Sequence, residues 1–418
     1  MPGFKTAGIN ISLRALEVAS KFTLTIIITA FGNETLLGDY SIVLTTVTIA
    51  YLFLGMDFYT FSHREIIQHP SQSRGKMIYD QIAWGLFISV FVIVLFFLIG
   101  QFNPEFPFLY HGFYVMLLLP SEFINQEIYR FLILFGKTSL ANLMSFIRNG
   151  FWVLLLGGIL YFDLNDFSLE LLIGSWALCS WIAFFIGLYL LGKFQKLSVH
   201  LLSPINISWL KQGLISALPF FVSTLFLKVL EFANRYILLH FSSKSTVGVF
   251  VFYAQFASII NILLNVAVLA VYYPKFLHLA NNNKELIKIR NKCRTIITLS
   301  YLLLGPLCYV FQSYYLQYFA NDRLELKNNL NIYWLVLLGS YFSSLTVLSD
   351  YVLYTKHFDK VLAYVTIITG TLSFLIVFFM TKYLALFGVA LGTAISFFVL
   401  WLFKYYYERA ALSVDCNR

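Results

Sequence analysis

Arg14, Glu17 and Lys21 stand at +3 and +4 spacings, and Lys228, Glu231 and Arg235 repeat that spacing. On a helix each triplet lines one face. A third group, Glu122, Gln126 and Arg130, falls within about 80° of helix circumference at 100° per residue, with Glu127 about 60° further round. Pro120 lies two residues earlier, frees a backbone carbonyl and suits a kinked or water-lined helix. Arg148 stands about two turns inside another apolar stretch, with no acid close in sequence. The chemistry open to these groups is the holding of an anion by guanidinium and ammonium groups. The carboxyls add proton uptake, because burial raises a carboxyl pKa. Each triplet carries one surplus positive charge and Arg148 adds another, which makes a lumen attractive to an anionic headgroup. The plainer alternatives are a Glu127–Arg130 pair that neutralises itself, and snorkelling of Arg14 or Arg148 to the interface.

These residues matter because of where they sit. Of 418 residues, 59% are hydrophobic and 12% charged. Spans of roughly 20 apolar residues occur near 9–31, 37–59, 80–101, 112–135, 141–162, 169–192, 213–240, 247–273, 295–318, 330–354, 361–381 and 384–406. A charge at bilayer depth costs a few kcal/mol on insertion scales, so a bundle keeps one only beside a partner or a wet cavity. A soluble protein is excluded, and a polytopic carrier of something polar and charged is the leading reading. The first span carries Arg14, Glu17 and Lys21 and no small-residue cleavage site follows, so it reads as a retained helix rather than a cleaved signal.

The sequence thus predicts an all-α polytopic membrane protein of twelve transmembrane helices with both termini cytoplasmic. In that topology the inner face takes most of the 29 Lys and Arg, and the outer loops only Lys244, Arg323, Lys327 and Lys382, as the positive-inside bias requires. The net charge of +9 follows from this orientation toward anionic membrane lipids and calls for no nucleic acid. Cys179, Cys293, Cys308 and Cys416 are scattered and the histidines show no paired spacing, so neither a metal site nor a disulfide framework is read. No nucleotide-binding loop is present, and no cofactor is expected.

A linker at 193–210, rich in Lys, Ser and Pro, divides the chain into six-helix bundles at 1–207 and 208–418. Gly38 and Gly248, each opening a span, match at an offset of 210. Glu127, Phe135 and Lys137 match Asp350, Phe358 and Lys360 at 223. Odd spans fall on odd spans, so the halves are related by a pseudo-two-fold axis along the membrane normal, with substrate expected between them. The two charged triplets fall one helical turn apart in the 210 register. Asp57 and Asp350, close to inner span ends, suit gate or packing roles. Gly388 and Gly392 read as a helix-packing face.

Several stretches carry a family likeness. They are Leu36-Leu37-Gly38-Asp39-Tyr40-Ser41, Asp57 to Glu65, Glu127-Ile128-Tyr129-Arg130, Asn234 to Leu238 with Val247-Gly248, and Phe387 to Ser396. On these the chain resembles the Wzx-type O-antigen and polysaccharide flippases of the multidrug/oligosaccharidyl-lipid/polysaccharide (MOP) exporter superfamily. It departs in Asn234, where many relatives carry an acid. The resemblance implies a MATE-like fold in a bacterial inner membrane and alternating access. It implies translocation of undecaprenyl-diphosphate-linked oligosaccharide repeat units (O-antigen or capsule) to the periplasmic leaflet. It also implies an H+ or Na+ coupling ion and a polymerase and chain-length regulator as pathway partners. Anion contact would fall to Arg14, Lys21, Arg130, Arg148, Lys228 and Arg235, with Glu17, Glu122, Glu127 and Glu231 as charge partners or coupling acids.

Physical chemistry suits such a cargo, since each unpaired sugar hydroxyl costs several kcal/mol in hydrocarbon. A multidrug cation antiporter would favour an acidic lumen. An O-antigen polymerase, an enzyme, would want a large outer loop, whereas the outer loops here are about 6–12 residues. A peptidoglycan-precursor flippase is the nearest rival.

Overall fold

Each apolar stretch becomes helix because a backbone in hydrocarbon must satisfy its own polar groups. A computed structural model describes residues 4–102, 107–162, 167–195, 203–279, 282–320 and 322–413. The expected linker 193–210 lies partly outside these residues, and Cys416 lies wholly outside. The helices are α1 (Phe4–Phe31), α2 (Glu34–Gly55), α3 (Tyr59–Gln68), α4 (Ser71–Phe102), α5 (Pro107–Leu134), α6 (Thr138–Phe146), α7 (Trp152–Phe162) and α8 (Leu169–Gln195). Then follow α9 (Ile207–Phe241), α10 (Lys244–Leu264), α11 (Ala270–His278), α12 (Asn283–Tyr318), α13 (Leu324–Asn328), α14 (Ile332–Thr355) and α15 (Asp359–Ser413). No strand occurs among the described residues.

By length and composition, nine helices among the described residues are able to cross a membrane. α15 holds two expected spans, 361–381 and 384–406, and breaks at Ala385, where φ is 46° and ψ −122°. α1 and α5, also expected spans, fall outside those nine; each carries at least three ionisable residues. Two expected spans contain a wide π turn, Ile147–Phe151 between α6 and α7 and Asn265–Leu269 between α10 and α11. The second expected span stops early at Gly55, and Met56 and Asp57 take left-handed φ values of 41° and 49°. α3, ten residues long and too short to cross, follows that turn.

Backbone packing divides the chain into two compact units, residues 1–27 with 42–221, and residues 28–41 with 222–418. In the first unit α4 and α8 pack on α5, and in the second α10, α12 and α15 pack on α14.

Internal repetition is visible in the hydrogen bonds themselves. Asn33 caps α2 by accepting from the Leu36 amide at 2.8 Å, and Ser243 caps α10 by accepting from the Thr246 amide at 3.2 Å. Both caps and both helix starts stand 210 residues apart. Within the second unit the two starts meet. A Cβ on Gly38 would strike the carbonyl of Lys244, and one on Gly248 would strike that of Glu34. Glycine is therefore required on both sides.

The end of α5 repeats at the end of α14. Lys137 N donates to Leu132 O at 2.8 Å and Gly136 N to Ile133 O at 2.9 Å; Phe358 N donates to Leu353 O and His357 N to Tyr354 O, each at 3.0 Å. This is the Schellman closure of a helix C-terminus, with Gly136 (φ 71°) and His357 (φ 60°) at the left-handed position. The offset is 221, not the 223 expected from Glu127, Phe135 and Lys137. The closures follow the left-handed residues Gly136 and His357, two residues off the register at which the side chains match.

Candidate functional site

The first unit gathers charged residues of α1, α5 and the π turn around three buried carboxylates, Glu17, Glu122 and Glu127. Glu17 is the pivot, 5% exposed. Its carboxylate accepts from Arg14 at 3.1 Å, Lys21 at 3.3 Å, Ser145 at 2.9 Å and Asn149 at 3.1 Å. The +3 and +4 spacing of the triplet lets both cations reach one acid. Arg14 also donates to the Tyr129 hydroxyl on α5.

Arg148 lies in the π turn, where the wider coil carries it toward α5. Its Nε stands 3.5 Å from Glu122 Oε2 and donates to Asn149 Oδ1 at 3.3 Å, while Nη2 donates to Gln126 Oε1 at 3.2 Å. The side chain is only 14% exposed, so Arg148 does not snorkel. It pairs across helices with an acid that no local sequence window contains. Glu122 in turn accepts from Trp176 Nε1 at 3.0 Å and Ser180 Oγ at 2.9 Å on α8.

About 60° round α5, Glu127 accepts from Arg130 at 2.5 Å and from Gln81 of α4. The Arg130 guanidinium stacks over the Tyr59 ring of α3 at 3.8 Å, a geometry favoured for arginine. His63, on the same short helix, touches Phe131 and Tyr59 with its ring. Its pKa is pushed down to about 4 by burial and then by the Arg130 charge. A crevice lined by Gly55, Phe58, Gln81, Trp84, Phe123 and Glu127 runs beside this pair.

The first unit thus sets four cations, Arg14, Lys21, Arg130 and Arg148, against the carboxylates Glu17, Glu122 and Glu127. Arg14 and Lys21 are the most open, with side chains 38% and 52% exposed. They can hold an anion while Glu17 orients them.

The second triplet lies in the other unit. Lys228 pairs with Glu231 at 2.6 Å, and both Lys228 and Arg235 approach the Phe232 ring. Arg235 is buried and donates to Ser41 O at 3.4 Å. The two triplets are therefore built differently, the first around a buried acid and the second around a half-exposed one. Asp350 meets Lys404 at 2.7 Å, and Glu408 binds Arg290 at 2.8 Å and Ser349 at 2.5 Å. Lys404 is itself buried, so its pair with Asp350 lies inside the second unit.

Ser145, Asn149, Trp176, Ser180, Gln81, Tyr59 and Tyr129 join the network without having been expected. Two of the pairs had a signal. Ser145 with Asn149, and Trp176 with Ser180, are polar i, i+4 pairs inside apolar spans and so share a helix face. Among the described residues no cluster of His, Cys, Asp and Glu is placed to hold a metal ion.

No family model matches the sequence, and no curated protein is significantly similar to it. The fold does have relatives. The chain is similar to the lipid II flippase MurJ in an inward closed conformation, with TM-score 0.73 and 13% identity over 97% of this chain and 88% of that one. It is similar to a MATE protein in complex with MaL6, with TM-score 0.62 and 14% identity over 99% and 97%. A MOP superfamily transporter from Pyrococcus furiosus, described as having a binding pocket of reverse polarity, superposes with TM-score 0.57 and 15% identity over 97% and 98%. At these identities the shared property is the architecture: the chain is a multi-pass helical membrane protein with the fold of MATE transporters and MurJ.

Proposed function

We propose that this protein is a flippase for undecaprenyl-diphosphate-linked oligosaccharide, an O-antigen or capsule repeat unit, working by alternating access in a bacterial inner membrane. The observation that carries the reading is the cation-rich network of the first unit, held inside membrane helices of a fold shared with a lipid II flippase and MATE transporters. Buried charge at that density is retained for function rather than stability. A surplus of cations suits a diphosphate and acidic sugars, and disfavours a cationic drug as cargo.

Arg14 and Lys21 are assigned to direct anion contact, being paired yet open. Arg130, Arg148, Lys228 and Arg235 join them when their present partners are exchanged for the cargo. Glu17, Glu122, Glu127 and Glu231 hold those cations between cycles and are the candidates for coupling to H+ or Na+. The halves 1–207 and 208–418 are proposed as the moving bundles, with a polymerase and chain-length regulator downstream.

Deleting the gene in its host tests the reading. Complete lipid-linked repeat units are expected to accumulate on the cytoplasmic side, with surface polysaccharide lost. Accumulated peptidoglycan precursor would favour the second reading, to which the likeness to MurJ lends support. Surface lipid capped with one repeat unit would point to a polymerase, and intact glycan with altered drug sensitivity to a multidrug antiporter. Glu122→Gln and Glu127→Gln test the coupling role; unchanged transport with unchanged pH dependence would remove both.

A further inference from the structure

α12 is 36 residues long, or about 54 Å at 1.5 Å per residue, against a hydrocarbon layer of about 30 Å. Its first twelve residues, 283–294, carry Lys284, Lys288, Arg290, Lys292 and Arg294, too many charges to lie in hydrocarbon. The end of α15 runs beside that start, since Asn283 Nδ2 donates to Leu412 O at 3.0 Å. A helix beginning and a helix ending stand together, so their opposite terminal dipoles offset each other. Side-chain charge then sets the local potential.

A cavity of about 570 Å³ opens there, lined by Ile287, Arg290, Tyr406, Arg409, Leu412 and Ser413. Arg290 is held rigidly in its wall by Glu408 at 2.8 Å and by Asn291, with its side chain 12% exposed. Arg294 and Arg409 both approach the Tyr405 ring, at 5.1 and 5.4 Å. Among the described residues neither meets a carboxylate, whereas Lys404 and Arg290 are each matched by one. Two positive charges are left over: Arg409 lines the apolar-walled cleft, and Arg294 lies outside its lining, against the same Tyr405 ring as Arg409. Trp401 stacks on Tyr405 at 5.4 Å, and Tyr406 is 69% exposed. Aromatic side chains of this kind collect at the headgroup level of a bilayer.

We propose that this cleft binds the headgroup of an anionic phospholipid. The phosphate meets the Arg409 guanidinium, Arg290 and Arg294 reinforce the potential, and the apolar part of the lipid lies against Ile287 and Leu412. Basic pockets between transmembrane helices, on the face that the basic residues assign to the cytoplasm, suit such headgroups. The site lies within the second unit and is independent of the charge network of the first.

The test is native mass spectrometry of the full-length protein with phosphatidylglycerol and with phosphatidylcholine. Retention of phosphatidylglycerol over phosphatidylcholine is expected, with about fivefold weaker retention in each of Arg409→Gln and Arg294→Gln, a typical effect of one interfacial basic residue. Lys288→Gln, which removes the same charge from a side chain 78% exposed on α12, is expected to leave retention unchanged. Equal retention of both lipids, or equal losses in all three variants, would overturn the site. Inorganic pyrophosphate, binding in an Arg409-dependent way and displacing the lipid at equal concentration, would mark a soluble-anion site and overturn the lipid assignment.

Discussion

Glu17 and Glu122 show what a buried charge demands of its neighbours. Each accepts at least three donors or charges, and each cation near them has an acid to answer it. Removing one partner of a buried pair strands the other. Glu122→Gln and Arg148→Met are therefore each expected to lower stability in detergent by about 3–5 kcal/mol. The double variant should lose about 1–3 kcal/mol less than the sum; additive losses in thermal unfolding would deny the pair. His63 gives a pH dependence whose sign can be worked out. Its folded pKa is about 4, below the ordinary value near 6.5, so between those values the unfolded chain binds the extra proton. Its contribution is complete above pH 6.5 and is lost as pH falls toward 4. Melting at pH 7.5 and 5.5 should show a drop that His63→Phe reduces. The candidate cations and acids were legible from their spacing, because i, i+3 and i, i+4 relations are local. The Arg148–Glu122 pair was not, since 26 residues and a change of helix separate its members.

At the scale of elements, the positions of most spans could be read from apolar runs alone. What composition could not show was how the runs end. Gly55 closes α2 ahead of the expected Tyr59 because Met56 and Asp57 turn left-handed. The short join between spans 361–381 and 384–406 was visible in the sequence, but the backbone break at Ala385 was not. The Schellman closures give a direct test. His357 fills a left-handed position that Gly136 fills in the first half, and a side chain there costs about 1 kcal/mol. His357→Gly is expected to raise stability by about 0.5–1 kcal/mol, and Gly136→His to lower it by about 1 kcal/mol. Thermal unfolding of the two variants in one detergent measures both; a fall for His357→Gly would mean that its imidazole does more than fill the turn. At the glycine contact, Gly248→Ala is expected to cost about 1–3 kcal/mol, because the new methyl meets backbone that cannot rotate away.

For the whole molecule, the bias of basic residues assigns Lys288 and Lys382 to opposite sides of the membrane. In a cysteine-free background, Lys382→Cys should react with an impermeant maleimide in intact cells, and Lys288→Cys only after permeabilisation. The reverse pattern would invert the topology. Membrane class and helical architecture were readable from the sequence because hydrophobicity sums over many residues and tolerates local error. The grouping of residues 28–41 with the second unit was not, since it depends on where two helix starts touch.

That touch bears on history. Positions 34 and 38 meet positions 244 and 248 reciprocally, as in a homodimer contact on a two-fold axis. In an ancestor of two identical chains, one substitution there would have been felt twice. In the single chain each glycine still answers to the other helix start, since a methyl on either side collides with backbone. The flanking positions are not reciprocal in the same way. Lys244 pairs with Asp39 at 3.0 Å, while the counterparts 210 residues away, Glu34 and Val249, cannot form an ion pair.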